Sequence, residues 1–412
     1  MELEESKLYD ILIAFLKKDK HGPDKNLVVG LSPRDWSNLL ALAAMQRITP
    51  LLWHRLKRKN LETLVPETAT AQLQEAAGRN TFNNLRLSGE LSKLLAALEQ
   101  ENIPLILLKG IVMANAIYEN IGLREMNDID VLAHPGDLER IAAILTGMGY
   151  QPMKPLDVKY SIQADHHLPG LIKKGHAKIE VHWNITHPDK PYSMDPRGLW
   201  ERAVSMQIAG HNTLMLSAED LLLHLCLHTS YLHPFTFGLR PFCDIAEIID
   251  HFGSALDWQV VADRAVSQKW QRGVYLALRL AVDLAGASVP DPVLEKLQPA
   301  DMSDALLETV RKQIFTDKYF AASIPKPFVQ FLESRRLTDR IKIFLQRVFL
   351  PRAVIASVYS VPVKSPKLYF LYLRRFYDVI RRHGRTLKKY QQKDDAVKSL
   401  TERSNIIANW LS

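Results

Sequence analysis

Two strand-like segments joined through a glycine constrain this chain more than anything else in it. Leu105-Ile106-Leu107-Leu108 is an unbroken apolar run that stops at Lys109-Gly110, as a buried strand does where the backbone must turn. A helical stretch over 111–118 and a loop over 119–122 follow. Then comes Arg124-Glu125-Met126-Asn127-Asp128-Ile129-Asp130-Val131-Leu132. Period-two alternation puts Asp128 and Asp130 on one face of this second strand, with Ile129 and Val131 on the buried face. Two carboxylates held side by side repel each other, so their natural partner is a cation, and a phosphate-bearing substrate would bring one.

A third carboxylate comes from further along. Lys178-Ile179-Glu180-Val181-His182-Trp183 follows a turn at Lys173-Lys174-Gly175-His176, and alternation separates Lys178, Glu180 and His182 from the apolar Ile179, Val181 and Trp183. Residues 138–148 form an amphipathic helix between these strands, so the pattern opens β-α-β-α, and short strands are expected from 160 to 183. A triphosphate needs one divalent ion to hold its charge and, for transfer to a hydroxyl, preferably a second. Three carboxylates on neighbouring strands meet that need. Lys109 and Arg124 supply phosphate contacts, Arg124 bidentately.

The flanks read differently. Residues 7 to about 100 are helical, with Ser32-Pro33-Arg34-Asp35 as a capping box and 87–101 leading into the first strand. Nothing before residue 100 suggests chemistry. Ser217-Ala218-Glu219-Asp220 opens a second helical region that runs to about 345. The expected architecture is α+β, a small mixed-sheet core with large helical regions on both sides. Its divisions are 1–88 helical, 89–185 the core, 186–345 helical, and 346–412 a basic helical segment.

Composition narrows the setting. At 412 residues with 47% hydrophobic and 24% charged residues, the chain is long enough for more than one domain. Two cysteines are too few for a disulfide framework. An acidic start, Met1-Glu2-Leu3-Glu4-Glu5, lacks the pattern of a secretion signal. The longest apolar candidate, 348–363, is interrupted by Pro351, Arg352 and Pro362, so no spanning helix is expected and the location reads as cytoplasmic. The net charge of +8 sits in the tail, where 352–412 carries thirteen Lys and Arg against four Asp and Glu. A helix over 368–390, bearing Tyr369, Phe370, Tyr372, Phe376, Tyr377, Arg374-Arg375 and Arg381-Arg382, is a solvated cover for the core or a grip for RNA or for the anionic inner face of a membrane.

Gly110, the pair Asp128-x-Asp130 on a strand, and the isolated Glu180 strand resemble the active-site pattern of the polymerase-beta-like nucleotidyltransferase superfamily. More narrowly, Leu108-Lys109-Gly110, Arg124 with Asp128-Ile129-Asp130, Glu180-Val181-His182-Trp183 and the helix Leu221-Leu222-Leu223-His224-Leu225-Cys226-Leu227-His228 with Asp244 are similar to an uncharacterised bacterial nucleotidyltransferase family. The resemblance covers about residues 30 to 290. It implies transfer of a nucleoside monophosphate from an NTP to an acceptor hydroxyl or phosphate, with Mg²⁺ or Mn²⁺ and release of pyrophosphate. Polysaccharide or natural-product biosynthesis is the implied setting. Asp128, Asp130 and Glu180 would be the catalytic and metal-binding residues, Glu180 completing a second metal site or acting as base. Lys109, Gly110, Arg124 and Asn127 would hold phosphates, and His182, which shares the face of Glu180, would orient a phosphate or the acceptor or else be a surface imidazole.

The chain departs from the superfamily in having Lys109-Gly110-Ile111 where Gly-Ser or Gly-Gly is usual, and in a longer gap from Gly110 to Asp128. The first departure keeps open a catalytically degraded nucleotide-binding or scaffold protein. The second resembles a subgroup that includes toxin-like enzymes acting on tRNA. His224 and His228 with His233 have helical zinc spacing but no fourth ligand, so no structural zinc is expected. A polar link between His228 and Asp244 behind the cleft is the alternative, and Asp165-His166-His167 could also reach that cleft.

Overall fold

The computed structural model describes residues 5–18, 23, 25–154, 156–187, 190, 192–316, 337–350, 352–359, 361, 364–391 and 395–412; Pro351 and Pro362, and the side chains of 382–397 with Arg382 among them, lie outside this description. The architecture is α+β. A seven-stranded mixed sheet runs in the order β3-β4-β5-β2-β1-β7-β6. The strands are β1 Ile106–Leu108, β2 Asp128–Leu132, β3 Gln151–Pro152, β4 Leu171–Ile172, β5 Lys178–His182, β6 Val204–Ile208 and β7 His211–Met215.

The centre of the sheet carries the site. β1 pairs antiparallel with β2 and parallel with β7. β2 pairs parallel with β5 in a register that sets Asp128 beside Lys178, Asp130 beside Glu180 and Leu132 beside His182. Ile106, Leu107, Leu108, Ile129 and Val131 are fully buried, so a slip of one residue in β2 would drive its carboxylates into the core.

A 34-residue helix, Glu67–Gln100, packs across β2 and β7. Its last third buries Leu87, Leu91, Leu94, Leu95 and Leu98, an i, i+4, i+7, i+8, i+11 stripe. An earlier helix, Pro33–Met45, starts at the expected capping box, with both Ser32 and Asp35 hydrogen bonds formed.

Two elements differ from the sequence reading. Residues 158–164 form the helix Val158–Ala164 rather than a strand, capped by Asp157. The region after 186, read as helical, contains the β6–β7 hairpin. Its turn, Ala209-Gly210, has positive φ at both residues (50° and 84°), the geometry of a type I′ turn. Alanine in place of the usual asparagine hides that turn, and polar side chains on both exposed strands hide the alternation. His211 pins the hairpin to the long helix through Ser92 (2.9 Å) and Glu99 (3.1 Å).

Helices Ala218–Leu227, Arg240–Phe252 and Gln271–Ala285 form the apolar layer beyond the sheet. In the C-terminal segment, Ile355, Ala356, Leu368 and Leu371 make a small core of their own. No helix among the described residues is long and apolar enough to cross a membrane.

Candidate active site

At the end of β1 the backbone of Lys109 enters the left-handed region, with φ of 46°. A side chain there costs of order 1 kcal/mol and persists when its surroundings fix it. What fixes it is Asp130, whose Oδ1 accepts from Lys109 Nζ at 2.9 Å. The same oxygen lies 3.0 Å from Nε2 of His182. Burial alone would push the Asp130 carboxyl up. The Lys109 ammonium and the His182 hydrogen bond overcome it and hold Asp130 well below the usual carboxylate range. Burial, reinforced by Lys109, pushes His182 down to about 3 against the pull of Asp130. A neutral ring beside an ionised carboxylate carries its proton on Nε2, which leaves Nδ1 as a buried acceptor without a hydrogen-bond partner. His182 is 2% exposed and is therefore not a surface imidazole.

Glu180 lies beside this pair. Its Oε2 is 3.8 Å from His182 Nε2, and its Oε1 accepts from Lys178 Nζ at 2.5 Å. Lys178 also lies 3.7 Å from Asp128, which stands at the mouth of the cleft with 39% of its side chain exposed. The three predicted carboxylates thus share one cleft, each facing a lysine ammonium. Asp130, Glu180 and His182 can each turn one donor atom to a common point, whereas Asp128 does not join that group. Two carboxylates and an imidazole that passes its proton from Nε2 to the unpartnered Nδ1 are a fitting donor set for a divalent ion, with Lys109 and Lys178 as the cations it would displace.

Arg124 is placed by its neighbours. Asn84 of the long helix donates to the carbonyls of Ile121 (2.6 Å) and Arg124 (2.8 Å), Asn80 to Gly122 and Asn83 to Met126. These three asparagines fix the loop before β2, so the region before residue 100 does shape the site. The guanidinium, 7% exposed, donates to Asp244 at 2.9 Å, and Tyr118 donates to the other Asp244 oxygen at 2.9 Å. The link expected between His228 and Asp244 is therefore made by Arg124 and Tyr118. His228 stacks instead on Phe237, at 5.6 Å between ring centres, with His233 at 4.7 Å. A Cβ on Gly110 would collide with Nη1 of Arg124 and stand 3.2 Å from Met126 Cβ. Gly110 thus admits the arginine against the backbone.

Together these residues line a cleft of about 610 Å³, within the range of small-molecule pockets. Lys109, Gly110, Arg124, Asn127, Asp128, Asp130, Glu180, His182, His228 and Asp244 all reach it. Arg240 and Arg47 reach it too, without having been read as site residues. Arg240 starts its helix beside Pro241, an ordinary helix-start pattern that gives no functional signal. Its Nη1 donates to the Glu125 carbonyl at 3.1 Å, and its Nε is buried without a partner. Burial, with the guanidiniums of Arg124 and Arg47 nearby, pushes Arg240 down to about 10. Guanidiniums crowded in this way are relieved by an anion, as phosphate would supply.

The model of the family described as uncharacterised nucleotidyltransferase matches residues 32–286, more than half of the chain and the whole of this cleft. No curated protein and no solved structure matches. With the carboxylate strands, the glycine turn and the arginine loop all inside the matched segment, the chain belongs to the uncharacterised nucleotidyltransferase family.

Proposed function

We propose that the cleft transfers a nucleoside monophosphate from an NTP to an acceptor hydroxyl or phosphate. The observation that carries this reading is the register of β2 on β5, which sets Asp130 directly across from Glu180 in a cleft whose cationic wall is Arg47, Lys109, Arg124 and Arg240. Those cations would hold the triphosphate, and Asn127 would add a contact at the mouth. Glu180 would take the proton of the acceptor as its oxygen attacks the α-phosphorus. The bond from that phosphorus to the bridging oxygen breaks, and pyrophosphate leaves. Asp130 would hold Mg²⁺ or Mn²⁺ at the point it shares with Glu180 and His182, with Asp128 approaching the ion and phosphates from the mouth of the cleft, and the ion would supply charge neutralisation at the phosphates.

The pairing of the carboxylates with Lys109 and Lys178 supports a second reading, a nucleotide-binding protein without turnover. Incubation with each α-labelled NTP, Mg²⁺ and a cell extract separates the two. Label on an acceptor, matched by pyrophosphate and lost in Asp128→Asn/Asp130→Asn, supports transfer. Nucleotide binding without pyrophosphate supports the second reading.

The basic helix Lys367–Gln391 exposes Tyr369, Phe370, Phe376 and Tyr377, a face suited to an anionic acceptor such as RNA or a membrane-borne one. Sedimentation with phosphatidylserine vesicles and filter binding with tRNA test the two partners. Binding to neither removes this role.

A further inference from the structure

A second cluster of metal-ligating side chains stands on the rim of the same cleft, on a segment the transfer chemistry does not use. Asp165, His166 and His167 can each bring one donor atom within 4.8 Å of the others. Asp165 Oδ1 lies 2.8 Å from His166 Nδ1 and 3.8 Å from His167 Nε2. Around an ion about 2.1 Å from each ligand, neighbouring donor atoms stand about 3.0–3.4 Å apart, a range that the 2.8 and 3.8 Å separations straddle.

The orientation of His167 is the second observation. Its Nδ1 is 2.6 Å from the carbonyl oxygen of Leu168, an oxygen that only accepts. Nδ1 therefore carries the proton, and Nε2, on the side of Asp165, presents a lone pair. Metal-binding histidines are typically held this way, the far nitrogen donating to a carbonyl while the near one ligates. The backbone is fixed as well. Leu168 donates to Val181 (2.8 Å), Trp183 donates to His166 (3.0 Å), and His167 bridges to His182. The cluster is thus laid across the end of β5 and partly open to the cleft, with the rings of His166 and His167 5.5 and 5.1 Å from that of His182.

We propose that Asp165, His166 and His167 bind a first-row transition ion of the Zn²⁺ or Co²⁺ class, with its open positions facing the cleft. Two imidazoles and one carboxylate suit such borderline ions, whereas Mg²⁺ prefers oxygen ligands and an octahedral water shell. The site is distinct from Asp130 and Glu180, and it stands or falls separately from nucleotidyl transfer.

The test is titration of the chelator-treated full chain with Co²⁺, read by visible d–d absorption. The expected result is a set of bands that Zn²⁺ displaces and excess Mg²⁺ does not, and that develops with about one equivalent in Asp130→Asn/Glu180→Gln, where the neighbouring donor set is removed. Changes to outer-shell partners alone weaken metal sites about 10–100-fold, so His166→Ala and His167→Ala should each weaken binding by at least about 100-fold, with their thermal unfolding retained as the folding control. Asp130→Asn and Glu180→Gln should leave the bands in place. Bands that survive both histidine substitutions, that vanish only in Asp130→Asn, or that never form would overturn the proposal.

Discussion

Asp130 and Glu180 stand opposite each other in the parallel ladder of β2 and β5, and His182 Nε2 lies within 3.0 Å of the first and 3.8 Å of the second. The register makes this possible, because residues set opposite each other on neighbouring strands point to the same face of the sheet. The two carboxylates differ in their surroundings. Asp130 is buried and held ionised by Lys109, while Glu180 reaches the cleft. In the proposed transfer Asp130 would be the fixed ligand and Glu180 the base for the acceptor.

Glu180→Gln separates those roles. It keeps the shape and removes the basic oxygen, so turnover should fall by roughly 10²–10⁴-fold while nucleotide affinity changes by only a few-fold. Single-turnover transfer alongside calorimetric NTP binding measures both. Parallel losses in the two would show that Glu180 binds rather than accepts a proton.

Gly110→Ala forces the Arg124 guanidinium away from the backbone. Overpacking of this kind costs typically about 1–3 kcal/mol, and the cationic wall moves with it. Nucleotide affinity should fall about tenfold with the fold retained, as calorimetry and circular dichroism would record. Wild-type affinity would mean that Arg124 has no part in holding phosphate.

Arg124 and Asp244 form a buried pair, with side chains 8% and 3% exposed. Removing one partner leaves a buried charge without its complement, at a cost of about 3–5 kcal/mol. Asp244→Leu should therefore destabilise strongly, and Arg124→Met/Asp244→Leu should cost less than the sum of the single changes. Urea unfolding of the four proteins provides the cycle, and strict additivity would contradict the pairing.

Acid should weaken the fold through its buried imidazoles. His224 is fully buried with no hydrogen-bond partner at either nitrogen. Burial, with Lys109 and His182 nearby, pushes it well below its ordinary value of 6.5. A group whose folded pKa is depressed in this sense stays neutral in the native state but gains a proton on unfolding. Stability is then intact above about pH 6.5 and falls as pH drops below it, by about 1.4 kcal/mol per such histidine at pH 5.5. His182, lowered to about 3, adds a second contribution of the same sign. His224→Leu should match the wild type at pH 7.5 and lose about 1.4 kcal/mol less on acidification to pH 5.5. Equal losses in denaturant titrations would show that His224 does not carry the effect.

Much of the site is written in local patterns. Strand alternation places Asp128, Asp130 and Glu180 on polar faces, and the apolar run before Lys109 marks the strand that carries the turn. Long-range partners are not written there. Arg240 reads as an ordinary helix start, Asn80, Asn83 and Asn84 as a polar patch on a long helix, and Asp244 gives no sign that Arg124 rather than His228 would meet it. Each depends on how the helical layers close over the sheet, which periodicity alone does not encode. The hairpin at 204–215 is hidden for a different reason, since its turn uses Ala209 where asparagine would have announced it.

The most direct measurement is transfer from α-labelled NTP by the wild type and by Asp130→Asn, with pyrophosphate counted in parallel. Asp130→Asn keeps the side-chain volume but removes the charge that Lys109 and His182 hold in place. The wild type should give label and pyrophosphate in equal amounts, and the variant should lose both by about 10²-fold or more. Undiminished transfer by a folded Asp130→Asn protein would contradict the proposed role of Asp130.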